Sequence, residues 1–333
     1  DKSPSFTLNI RATSGSFLST MPRKSRLRLA KRQGCGWAKL RLAKRNCFGG
    51  PARLDSRHVP DNATDPADAT ELMAIPNDSS LVKELPRLKR FLKTESARLQ
   101  KWHRGGGGGR EVCLGRSWML DTLLRELFDW TLATFEPPGN ARKLQVALVA
   151  IGGYGRAELN PHSDIDIMLL HSGSMPSVAR IFTHPLLEKL TGPGGLIYTL
   201  YDLGLKVGHS VRNIQDAVNV ANDDMQTKTS LIESRLITGD PALFGQFQQR
   251  LEAKCVRNHV DDYLQMRIGD QDARRVKFGN TALLQEPNIK NGCGGLRDYQ
   301  NLLWMTHFKY GAHTLAQLEA QEMVRPKNRR QLE

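Results

Sequence analysis

Asp164 and Asp166 stand two residues apart within the segment GGYGRAELNPHSDIDI, residues 152–167. In an extended strand alternate side chains share a face, so this spacing sets two carboxylates side by side. Two such charges repel unless a cation lies between them, and a divalent metal carrying a nucleoside triphosphate is the natural occupant. Gly152 and Gly153 come just before. With no Cβ in the way, their backbone amides can approach a phosphate closely. Arg156 suits phosphate oxygens, or bracing a carboxylate such as Glu158, and Ser163 could donate to a phosphate. The glycine spacing fits neither a dinucleotide fingerprint nor a P-loop. No Ser/His/Asp or Cys/His arrangement stands out, which favours nucleotidyl transfer over hydrolysis through a covalent enzyme intermediate.

These residues need elements to hold them. The apolar run Val146–Ile151 predicts a strand leading into the glycine turn, and Ile165–Leu170 predicts a second strand carrying Asp166. Leu81, Leu85, Leu88, Leu92 and Leu99 recur among charges and predict an amphipathic helix over 81–103. Gly105–Gly109 reads as a flexible connector, followed by a stronger helix through Leu120, Leu123, Leu124, Leu127 and Phe128. Residues 196–207 (LIYTLYDLGLKV) read as another strand. From about 214 onward the periodicity is helical, interrupted by the Gly- and Pro-bearing loop Glu286–Arg297. The expected fold class is α+β, with a small sheet flanked by helices and an all-helical domain after it. The expected divisions are a basic tail and linker over 1–80, a sheet-bearing domain over 81–212 and a helical domain over 213–333.

The formal charge of +14 points to nucleic acid only until it is located. Residues 1–60 hold 14 Lys/Arg against two acids, leaving the rest of the chain close to neutral at +2. Nucleic-acid binding is therefore not expected except through that tail. No apolar run approaches the roughly 20 residues of a membrane span, and no signal peptide is recognisable. Five scattered cysteines without metal-ligand spacing fit reduced thiols in a cytoplasm.

The glycine turn followed by Asp-x-Asp on the next strand resembles the DNA polymerase β-type nucleotidyltransferase superfamily. More closely, the chain resembles the bifunctional uridylyltransferase/uridylyl-removing family that modifies the PII nitrogen-regulatory protein. Four segments carry this: GGYGRAELNPHSDIDIMLL at 152–170, DLGLKVGHSVR at 202–212, TSLIESRLITGD at 229–240 and EPNIKNGCGGLRDYQNLLW at 286–304.

The resemblance implies that Asp164 and Asp166 bind Mg²⁺ and that Gly152 and Gly153 cradle the triphosphate. It also implies a third carboxylate on a later strand, for which Asp202 is the candidate, with Lys206 close behind it to face the nucleotide. It further implies UTP as donor and a PII tyrosine as acceptor. Another base or acceptor, as in adenylylation, stays open, and so does a degenerate nucleotide-binding regulatory module. The His-Asp pair of a phosphohydrolase is not recognisable in the sequence, so deuridylylation is not expected of this chain; with no room for the family's C-terminal ligand-sensing domains, direct glutamine sensing is not expected of it either.

Overall fold

The computed structural model describes residues 73–139, 144–174 and 184–332. The basic tail and most of the predicted linker lie outside the described residues. The linker's last residues do not behave as a free connector, because Met73 and Ile75 are buried in the core.

Among the described residues two long helices come first, α1 (Leu81–Arg104) and α2 (Gly109–Ala133). Pro86 is the sixth residue of α1, inside the helix, and its missing N–H leaves the Val82 carbonyl without the usual i→i−4 partner. The glycine run between the helices is a tight turn rather than a loose connector: the amides of Gly105, Gly106 and Gly107 all bond back to carbonyls of α1.

The sheet has four strands in the order β3-β2-β1-β4. They are β1 (Val146–Ala150), β2 (Ile165–His171), β3 (Val207–Asn213) and β4 (Arg235–Gly239). β1 pairs antiparallel with both β2 and β4, while β2 and β3 run parallel, so the sheet is mixed. Between β1 and β2 the glycine turn forms one short helix, α3 (Gly152–Gly155). Between β2 and β3 lie α4 (Pro185–Thr191) and α5 (Leu196–Asp202).

Helices cover both faces of the sheet. On one face Leu148, Ala150, Ile165, Ile167 and Leu169 pack with apolar residues of α1, α2, α4 and α5. On the other, Ala147, Val149, Met168 and Leu170 meet α6 (Ile214–Asp223), α7 (Met225–Ile232) and α8 (Pro241–Leu251). This two-sided burial explains why VALVA is apolar throughout instead of alternating. Beyond a π-helical turn at Glu252–Val256 come α9 (Val260–Lys277), α10 (Leu296–Tyr310), α11 (Leu315–Ala320) and α12 (Pro326–Leu332). α9 and α10 pair through the stacked rings of Tyr263 and Phe308. The Tyr263 hydroxyl meets Thr229 of α7 at 2.8 Å, which ties this pair to the sheet-bearing part.

The α+β expectation holds, and two assignments of regular elements do not. Residues 196–202 form a helix, and the strand begins only at Val207. Their Ile, Tyr and Thr suit a strand, but Leu196, Ile197 and Leu200 bury one helical face and Thr199 bonds back to the Gly195 carbonyl. Tertiary burial overrides the local preference. The region after 214 is not all helical either, since β4 joins the sheet's edge. Its register is held by pairing to β1, and Asp240 then caps α8 by accepting from the amides of Ala242 and Leu243. Among the described residues no helix is long and apolar enough to cross a membrane.

Candidate active site

The carboxylate pair sits where the sequence puts it. Asp164 immediately precedes β2, and Asp166 is the single exposed residue of that strand. Ile165 and Ile167 on either side are fully buried and fix the strand's rotation. The amide of Ile151 donates to the carbonyl of Asp166 at 3.0 Å, so the glycine turn starts directly beside the second carboxylate. Partial burial, and then the neighbouring Asp164, push the Asp166 carboxyl above the usual carboxylate range.

β3 supplies the other wall. Its parallel register sets Gly208 opposite Asp166 and Ser210 opposite Met168. A Cβ at Gly208 would lie 2.5 Å from the Asp166 carboxylate oxygen, so the glycine clears the space that the carboxylate fills. Lys206 stands at the entry to β3, its carbonyl accepting from Ile165 at 2.9 Å. Ser210 carries a buried hydroxyl with no hydrogen-bond partner among the described residues, on the strand face that alternation assigns to Asp166.

The glycine turn is packed from below. Gly152 has φ +57°, in the left-handed region that favours glycine. A Cβ on Gly155 would come within 2.0 Å of the Glu233 carbonyl, so only glycine fits there. Tyr154, inside the turn, is fully buried and donates its hydroxyl to Asp121 of α2 at 2.7 Å. Arg235 of β4 grips the same carboxylate with two bonds of 2.7 and 3.0 Å and also bonds the Tyr154 carbonyl. Burial, then Asp121, hold the Tyr154 phenol well above its ordinary pKa and hence neutral. For Arg235, burial opposes the charge, but Asp121 more than offsets it and the pKa rises.

Arg156 does not reach outward for phosphate. It bonds Glu158 at 2.9 Å and Glu233 at 2.6 Å, which realises the bracing role. Burial opposes its charge, and Glu233 and Glu158 restore it. Glu233 in turn accepts from the indole of Trp304 on α10, linking the glycine turn to the helical region. Burial raises the Glu233 carboxyl, against the pull of Arg156. Ser163 closes a turn with its amide on the Asn160 carbonyl, one residue before the first aspartate.

The expected third carboxylate does not join the pair. Asp202 is the last residue of α5, exposed, on a helix rather than a strand. Among the described residues no three His, Cys, Asp or Glu side chains converge as a metal-binding group. Gly208, Asp121, Arg235 and Glu233 escaped the sequence reading. Asp121 had left a trace, as an acid beside the apolar Leu120, Leu123 and Leu124.

Comparison with known proteins adds to this geometry. Residues 53–181, which hold the glycine turn and both aspartates, match the family model "GlnE: Glutamate-ammonia ligase adenylyltransferase". Residues 262–333 match "GlnD PII-uridylyltransferase". The chain is 35% identical over 214 residues to a bifunctional uridylyltransferase/uridylyl-removing enzyme of Rhodospirillum rubrum, covering 64% of this chain. It is 34% identical over 211 residues to the enzyme of that name from Erythrobacter litoralis, covering 63% of this chain. In both cases the match spans 22% of the relative's length. Over about 64% of its length, then, the chain is similar to the bifunctional uridylyltransferase/uridylyl-removing enzymes, as its four quoted segments had implied.

Proposed function

We propose that this chain is a metal-dependent nucleotidyltransferase that transfers UMP from UTP to a tyrosine of the PII protein, releasing pyrophosphate. One observation carries the reading: the Ile151–Asp166 hydrogen bond that sets a glycine turn directly beside a carboxylate pair. The family resemblance supports the choice of UTP and PII.

The residues fit Mg²⁺. That ion takes one or two carboxylates and completes its shell with phosphate oxygens and water, so Asp164 and Asp166 suffice. Both residues are exposed, so an ion and its phosphate ligands can reach them. When bound, Mg²⁺ would neutralise triphosphate charge and acidify the acceptor hydroxyl. The amides of Gly152 and Gly153 take triphosphate oxygens, while the buried Tyr154–Asp121–Arg235 network keeps that turn from shifting. The acceptor oxygen then bonds the α-phosphorus as the bond to pyrophosphate breaks, and the hydroxyl proton passes to solvent. Asp202 has no part in this scheme. The chain's share is positioning and electrostatics.

Adenylyl transfer is a second reading, favoured by the glutamate-ammonia ligase adenylyltransferase match over 53–181, which contains the whole turn and both aspartates. Incubation with Mg²⁺, PII and each α-labelled nucleoside triphosphate in turn separates the two. Label from UTP on PII supports the first, and label from ATP alone supports the second.

A further inference from the structure

Five arginines lie along the end of the glycine turn, α9 and the start of α10, and four of them have carboxylate partners. Arg156 pairs with Glu158 and Glu233. Arg267 pairs with Asp270 at 3.3 Å. Arg274 and Arg275 share Asp298, at 2.5 and 3.2 Å. The fifth, Arg297, has no carboxylate within ion-pair distance and no side-chain hydrogen bond among the described residues.

Arg297 is nevertheless held in place. Its amide bonds the Lys290 carbonyl at 2.9 Å, and its guanidinium lies over the Trp304 ring, 5.2 Å from the centroid. Arg267 lies over the same ring at 4.6 Å. The indole N–H of Trp304 goes to Glu233, which binds Arg156 at the end of the glycine turn. Stacking on a ring leaves the edge of a guanidinium, with its five donors, available for hydrogen bonding. Burial, and then Arg156 and Arg267, disfavour its charge, so an anion delivered to it would be strongly welcomed.

We propose that Arg297 is a substrate-binding residue that takes phosphate oxygens of the nucleoside triphosphate seated on the glycine turn. This rests on the nucleotidyltransferase reading and extends it: the phosphate site is completed from the helical region, across Trp304. Arg297 replaces Arg156 in the role first expected of the latter, because Arg156 is occupied by two carboxylates. A guanidinium fork is suited to phosphate, and the interaction is charge-assisted.

The test is calorimetric titration of the full chain in Mg²⁺ with UTP, tripolyphosphate and uridine, comparing wild type with Arg297→Gln and Arg297→Lys. The expected result is a loss of about 10- to 100-fold in affinity for UTP and tripolyphosphate in Arg297→Gln, with uridine binding unchanged. Arg297→Lys keeps the charge without the fork and should lose less; it carries the same comparison if the glutamine variant does not fold. Unchanged UTP affinity in a wild-type-like fold overturns the role of Arg297 and leaves the nucleotidyltransferase reading standing. Equal losses for UTP and uridine also overturn it, since they report a merely structural stack on Trp304. A wild-type chain that binds no UTP overturns both proposals.

Discussion

Gly208 and Asp166 are neighbours across the parallel β2–β3 ladder, and a side chain at 208 would sit 2.5 Å from the Asp166 carboxylate oxygen. The atom in the way is the far end of a side chain that can rotate. Gly208→Ala should therefore leave the fold intact and displace the carboxylate. A shift of about 1 Å at a phosphoryl-transfer centre costs on the order of 100-fold in rate. The check is kcat for UMP transfer alongside thermal unfolding: activity should fall and Tm should stay within a few degrees.

Gly155 gives the opposite outcome. There the added Cβ would meet the backbone carbonyl of Glu233 at 2.0 Å, which cannot rotate away. Gly155→Ala should destabilise the protein by roughly 3 kcal/mol, read from urea unfolding. Comparing the two variants separates clearance for chemistry from clearance for folding.

Asp121 is the acid on which Tyr154 and Arg235 converge. Asp121→Ala leaves a buried arginine unpaired, a loss of about 3–5 kcal/mol. Asp121→Asn should cost less because hydrogen bonds to Tyr154 and Arg235 can persist. Equilibrium denaturation of both variants checks the order.

The Asp166 carboxyl is raised by partial burial and by Asp164, which fixes the sign of its pH dependence. A raised carboxyl favours the fold while protonated, and that contribution is lost as pH rises through its folded value. In metal-free buffer Asp166→Asn should therefore have a higher Tm than wild type at neutral pH, with the gap closing on acidification. Added Mg²⁺ should raise the Tm of wild type and leave the variant unmoved.

What the sequence made legible was local. The glycine turn, the Asp-x-Asp strand and the helix expected over 81–103 each announce themselves within some 20 residues. Apart from the glycine turn between α1 and α2, whose bonds are local, the misreadings share one cause, which is contact between distant residues. Residues 196–202 are helical because Leu196, Ile197 and Leu200 bury against the core, which their β-favouring composition does not reveal. β4 is short, lies among helices and exists by pairing with β1. Asp121 meets Arg235 across 114 positions of sequence, and Glu233 meets Trp304 across 71. Asp202 sits on a helix for the same reason: the strand expected from residue 196 begins only at Val207.

The central claim is that Asp164 and Asp166, set beside the Gly152–Gly153 turn, support transfer of UMP to PII. The most direct measurement is covalent labelling of PII from α-labelled UTP with Mg²⁺, using wild type, Asp164→Asn and Asp166→Asn. The account predicts labelling by wild type and a fall of at least about 100-fold in each variant, both still folded. Near-normal labelling by both variants would contradict it.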